Sequence, residues 1–99
     1  MRPIHLARME KTRPVVVLTR ESIRPFLNKV TVASITSTIR GIPTEITVGP
    51  ENGLDHLSAI SCDNITTIPV SDLGPQIGFL FDSQEDALVA AIHAAFDLD

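Results

Sequence analysis

Glycine and proline punctuation constrains this chain more than any other feature. Pro14, Pro25, Gly41, Pro43, Gly49, Pro50, Gly53, Pro69, Gly74, Pro75 and Gly78 interrupt it at short intervals. Inside a helix glycine costs roughly 1 kcal/mol and proline roughly 3, so these residues read as turn punctuation between short segments. The stretches between the breaks are rich in β-branched residues and predict strands near 3–8, 13–19, 29–38, 44–48, 58–62, 64–69 and 76–81. "RESIRPFL" has room for a turn or two of helix, because Pro25 would clash with a longer one. Beyond Gly78 the period changes: Leu88, Ala91, Ile92, Ala95 and Phe96 recur at helical intervals, with Ser83 and Asp86 in capping-box spacing. One amphipathic helix of about four turns should lie against the sheet, since so short a helix is rarely stable alone. The predicted class is α+β, mostly β: a small, strongly bent sheet or barrel with a C-terminal helix, as one domain over 1–99.

Hydrophobic residues make up 43% of the chain against 20% charged, a globular balance apolar enough to favour a self-interface. Cys62 is the single cysteine, so no internal disulfide can form and a reducing compartment fits best. No segment approaches the ~20 apolar residues of a membrane span, and "MRPIHLARMEK" lacks the apolar core of a signal peptide. A soluble cytoplasmic protein is expected. The net charge of −4 conceals a marked asymmetry. All eight Lys and Arg lie in residues 1–40, against Glu10 and Glu21, for +6; residues 41–99 hold ten acids and no base, for −10. Unless folding interleaves the halves, this predicts a polyanion-binding region beside an acidic one.

Most catalytic signatures are missing, including Walker A, GxGxxG and HExxH. The cysteine and the three histidines show no metal-ligand spacing, so no metal or other cofactor is expected. Asp55, His56 and Ser58 look like a triad on paper, but residues this close in sequence rarely align as nucleophile, base and orienter, and a polar loop is the simpler expectation. His5 and His93 fall in a strand and a helix as structural or surface residues. With four Phe and neither Trp nor Tyr, a base-stacking platform is a poor fit. Two stretches remain. In "TRPVVVLT" Arg13 precedes a buried strand, and Pro14 restricts the backbone beside it. In "VTVASITSTIRG" a strand leads into Thr36, Ser37, Thr38, Arg40 and Gly41, hydroxyls and a guanidinium suited to phosphate.

In order, "RPVVVLT", "ASITSTIRGIPTEI", "SAISCDNITTI", a two-strand ending and the helix resemble the MazF/PemK (Kid) toxins of bacterial toxin–antitoxin systems, with a likeness to their mycobacterial and actinobacterial branch. The resemblance spans nearly the whole chain. It implies an SH3-like barrel with a C-terminal helix, a homodimer, and a metal-independent endoribonuclease that cuts single-stranded RNA to a 2′,3′-cyclic phosphate and a 5′-hydroxyl. It places the catalytic arginine on Arg13 and the catalytic threonine on Thr36, and aligns Asp63 with the aspartate of Kid-type relatives. Arg8, Lys11, Ser37, Thr38, Arg40 and Asn64 are the expected RNA contacts. A MazE-type antitoxin is the expected protein partner. The long first loop of many relatives is nearly missing here, and no residue replaces its histidine by position. Glu10, Asp63 and a substrate phosphate oxygen remain open as the base. Asn64 stands where relatives often carry Gln. A CcdB-type gyrase poison is disfavoured because "AAFDLD" has no Trp, and a silent SH3-like module because exposed aromatics to line a peptide groove are scarce.

Overall fold

The computed structural model describes residues 1–98. Six strands appear where β-branched residues cluster: β1 Arg2–Arg8, β2 Thr12–Val17, β3 Lys29–Thr36, β4 Glu45–Val48, β5 Ser58–Pro69 and β6 Leu73–Leu80. They form one sheet in the order β4-β5-β3-β2-β1-β6, every neighbouring pair antiparallel. One helix, α1 Glu85–Phe96, follows. The mostly β architecture with a C-terminal helix is as expected, while the hydrogen-bonded ladder is open between β4 and β6.

The sheet buries a core on each face. Val16, Ala33, Ile35, Val48, Ile60 and Leu80 meet Leu88 and Ala91 of α1 on one side. On the other, Val15, Val17, Val30 and Val32 pack with Ala7, Ile68 and the partly buried Leu73. Among the described residues, none from α1 joins this second core. Ile68 from the far end of β5 and Leu73 from the start of β6 pack into it instead. The unbroken valine run of β2 follows from this arrangement, because a strand buried on both faces has no polar alternation. Full burial of each valine contributes about 1.5 kcal/mol or more.

Two expectations need correction. The strands expected at 58–62 and 64–69 are one strand with a bulge. Ala33 pairs with Ile65 and Ser34 with Ser61, so Cys62, Asp63 and Asn64 occupy a single step of β3. The gap expected at residue 63 is thus a bulge, which leaves Asp63 and Asn64 exposed without ending the ladder. The capping box of Ser83 and Asp86 does not form. The helix has twelve residues and no side-chain cap, and a single 3-10 turn over Asp82–Gln84 precedes it. There the Gln84 Oε1 accepts from the Phe81 N–H at 2.9 Å and from the Asn52 amide at 2.8 Å. Gln84 takes the role because it can reach the end of β6 and the β4–β5 loop together.

That loop is tied down tightly. Asn52, 1% exposed, also donates to the Phe79 carbonyl at 2.9 Å and accepts from the Gly49 N–H at 3.1 Å. Leu54 is buried in the first core. Gly53 and Gly78 lie backbone against backbone, so closely that a Cβ on Gly78 would stand 1.8 Å from the Asn52 carbonyl oxygen.

Candidate active site

Arg13 is where the two strand ends converge. It pairs with Ala7 of β1. The β2–β3 ladder ends at Val15↔Ser34, beside Pro14, which has no N–H to offer a further rung. Continuing that register by two residues sets Arg13 across from Thr36, on the sheet face that carries Val15 and Val17. The valines therefore anchor the strand in the second core, and its next residue on that face is a guanidinium opposite a hydroxyl.

Three cavities share Arg13 as a wall. The first, about 390 Å³, is lined by Lys11, Thr12, Thr36 and Ser37 together with Asp55, His56 and Ser58. The second, about 300 Å³, is bounded by Ser34, Thr36, Thr38, Arg40, Glu45, Ser61, Asp63 and Asn64. Glu10, Ser34, Asp63, Asn64 and Met9 line the third, about 390 Å³. Arg13 thus shares one or another of these cavities with Thr36, Lys11, Ser37, Thr38, Arg40, Asn64, Glu10 and Asp63. Arg8 does not join them. It lies at the exposed end of β1 and borders a separate hollow with Ser71 and Asp72.

The local chemistry favours an anion beside Arg13. Its Nε is buried and has no hydrogen-bond partner among the described residues. Arg24 Nε is in the same condition but borders none of these three cavities. Of the eight Lys and Arg, only Arg2 forms an ion pair among the described residues, with Glu85 at 2.7 Å. Folding has therefore not neutralised the basic segment by pairing, although Glu10, Glu45, Asp55 and Asp63 place negative charge on the cavity walls. An unpaired buried donor costs about 1–3 kcal/mol, and an oxyanion at this point would relieve that cost.

Thr36 is prepared in a complementary way. Its Oγ1 accepts from the Thr38 N–H at 3.1 Å, which leaves the hydroxyl proton free to be donated. The loop beyond is pinned by Glu45, whose Oε1 accepts from the Arg40 and Gly41 amides at 2.9 and 3.0 Å. On the bulge, Thr44 donates to Asp63 Oδ2 at 2.7 Å and Asn64 donates to Ser61 Oγ at 3.5 Å.

Sequence reasoning missed Ser34, Ser61 and the Asp55–Ser58 loop as parts of the site. Buried serines opposite each other on β3 and β5 cannot be recognised without the strand pairing. The loop is no triad: Ser58 Oγ donates to the His56 carbonyl at 3.0 Å and not to the imidazole. The usable signal was a histidine in a polar loop just ahead of a strand.

Cys62, within the bulge, is buried and resists ionisation. Burial first, and the Asp63 charge second, push its thiol from 9.0 up to about 11. Well below pH 9 the thiol is protonated in folded and unfolded chains alike. Between pH 9 and 11 the unfolded chain loses the proton and the folded one resists, so stability should fall by on the order of 2 kcal/mol. Urea midpoints followed by circular dichroism, apt for a chain without Trp or Tyr, should drop across that window and drop less in Cys62→Ala. Equal slopes would show that Cys62 is not the group responsible.

The description "PemK-like, MazF-like toxin of type II toxin-antitoxin system" matches residues 3–96. Endoribonuclease MazF3 of Mycobacterium tuberculosis is 61% identical over 99 residues, which cover 100% of this chain and 96% of that protein. The solved Mycobacterium tuberculosis toxin MazF-mt6 superposes with a TM-score of 0.96 at 60% identity, covering 98% of each chain. A mycobacterial endoribonuclease solved in complex with its cognate antitoxin shares the fold at a TM-score of 0.87 and 21% identity, covering 98% of this chain and 93% of that one.

Proposed function

The chain belongs to the PemK-like, MazF-like toxins of type II toxin–antitoxin systems, and from that premise we propose that it is an endoribonuclease cutting single-stranded RNA at the Arg13–Thr36 site. The observation that carries the assignment of the site is that Arg13, whose buried Nε has no partner among the described residues, lines two cavities together with Thr36. RNA supplies its own nucleophile. Its 2′-hydroxyl attacks the adjacent phosphorus, the 5′-oxygen leaves, and the ends are a 2′,3′-cyclic phosphate and a 5′-hydroxyl. Negative charge grows on the phosphoryl oxygens along this path. A planar, permanently charged guanidinium held at a strand end suits two of those oxygens at once, and the Thr36 hydroxyl adds a further donor. The chemistry needs no metal, and DNA escapes because it has no 2′-hydroxyl.

Lys11, Ser37, Thr38, Arg40 and Asn64 supply further donors along the three cavities for neighbouring phosphates and bases, and Glu10 and Asp63 supply acceptors for base amino groups. The working unit is a homodimer. Its inhibitor is a cognate MazE-type antitoxin whose acidic segment competes with RNA for the unpaired cations. No described helix is long and apolar enough to cross a membrane, and the cytoplasm is where substrate and antitoxin would be met.

Mixed-sequence single-stranded RNA incubated with purified protein in EDTA should yield discrete fragments with 5′-hydroxyl ends, while DNA of the same sequence stays intact. Random degradation, or cutting that requires added metal, would refute the assignment. In the same assay Thr36→Val should lose about 100-fold in kcat, the usual cost of one oxyanion donor, and Thr36→Ser should keep most of it. Activity within threefold of wild type in Thr36→Val would show that the hydroxyl is not the donor assigned here.

A further inference from the structure

Negative charge is out of place in the wall of a site that binds a polyanion, yet Glu45 lines the second cavity beside Arg13, Thr36 and Arg40. A carboxylate there repels phosphate. Its hydrogen bonds account for its presence. One oxygen, Oε1, accepts from the consecutive Arg40 and Gly41 N–H groups at 2.9 and 3.0 Å. Resting on the reading of this site as a ribonuclease, we propose that Glu45 is a positioning residue for RNA binding. It fixes the β3–β4 loop so that Arg40 and its neighbours meet the strand already in place.

The loop needs such a tie. Every residue from Ser37 to Pro43 is exposed, so no buried side chain anchors the segment that carries Ser37, Thr38 and Arg40. Gly41 takes a left-handed turn, with φ +69, and two successive N–H groups converge on one oxygen in the manner of a backbone anion nest. The anion filling that nest belongs to the chain itself. Glu45 is firmly seated in turn. It opens β4 opposite Ser61 of β5, and its N–H donates to the Ile42 carbonyl at 3.0 Å. The preceding Thr44 is fastened to the bulge, its carbonyl accepting from the Cys62 N–H at 2.9 Å and its hydroxyl donating to Asp63 Oδ2. The start of β4 therefore joins the two rims of the cavity, the Thr38–Arg40 loop and the Asp63–Asn64 bulge. A loop ordered before RNA arrives loses less conformational freedom on binding.

The probe is a single-stranded RNA whose cleaved position, once mapped, is blocked by a 2′-O-methyl group. Glu45→Ala in the full chain should weaken its binding by about tenfold, the scale of one charge-assisted hydrogen bond. On cleavable RNA the loss should fall on KM, with kcat changed far less. Glu45→Gln keeps an oxygen able to accept the same two N–H groups, and it should recover most of the affinity. Hydrogen exchange reads the bonds directly: the Arg40 and Gly41 amides should exchange slowly in wild type and in Glu45→Gln, and fast in Glu45→Ala. An alanine variant that binds RNA as tightly as wild type, or more tightly, would overturn the proposal by leaving the carboxylate only its repulsion. Equal deficits in the Gln and Ala variants would overturn it too, since charge and not the hydrogen bonds would then matter. Where Glu45→Ala fails to fold, wild type decides, and fast exchange at both amides would show that the loop is not held. If Arg13→Ala cleaves like wild type, the reading of the site fails, while the exchange rates still report whether Glu45 fixes the loop.

Discussion

Arg13→Ala should abolish cleavage while leaving the fold in place. Losing one oxyanion donor typically costs 10²–10³ in kcat. Arg13 offers a bidentate fork and a full charge, so about 10³-fold or more is expected, roughly 4 kcal/mol of transition-state stabilisation. Stability should move in the opposite sense or scarcely at all. The mutation removes a buried Nε that has no partner among the described residues, and its neighbours Val15 and Val17 keep their places in the second core. A melting temperature equal to or above that of wild type, with activity gone, would mark Arg13 as a residue maintained for chemistry at the expense of stability. Arg13→Lys should also lose most of the activity, since a point charge cannot reproduce the fork. Full activity in the lysine variant would reduce the arginine to a general positive field. Single-turnover rates at saturating protein, with a thermal melt of each variant, decide both points.

Gly78→Ala should be the most damaging conservative change to the fold. Its Cβ would stand 1.8 Å from the Asn52 carbonyl oxygen and 3.0 Å from the Gly53 Cα. These are backbone atoms, which cannot rotate aside as a side chain would. Relief requires the β4–β5 loop to lift from β6, and that would disturb the Asn52 bonds to Phe79 and Gln84. Overpacking costs about 1–3 kcal/mol, and this contact belongs at the upper end, on the order of 10 °C in melting temperature for a chain of this size. Gly53→Ala should be comparable. Its Cβ would meet the Ile77 carbonyl oxygen at 2.0 Å, and its φ of +92 disfavours any side chain. Both variants should lose cleavage beyond what their folded fraction explains, because the displaced loop carries Asp55 and His56. A shift of a degree or two in thermal melts at one protein concentration would show that the loop is not locked as described.

What the sequence made legible, and what it did not, follows one physical line. The valines of β2 and the helical spacing of Leu88, Ala91 and Ile92 are local patterns, and the burial they predicted is found. Arg13 and Thr36 could be singled out because proline and a run of hydroxyls are local signals too. Their facing each other depends on the β2–β3 register, which no short stretch encodes. The bulge at Cys62–Asn64 was read as a break for the same reason, since a polar pair ends a strand or kinks it according to what lies opposite. Gln84 as the organiser of the helix start, and His56 in a cavity with Arg13, depend on a loop more than 20 residues distant in sequence, so only the assembled fold displays them.

The central claim is that RNA brings the nucleophile and the protein brings the clamp. Once a cleavage position has been mapped, the direct test is an oligonucleotide carrying a single 2′-deoxy substitution at the nucleotide 5′ to the cut. That substrate should bind with the affinity of the all-RNA strand and remain uncut at the mapped phosphate. Cleavage there at the all-RNA rate would contradict the account, because the attacking oxygen would then have to come from water or from the protein.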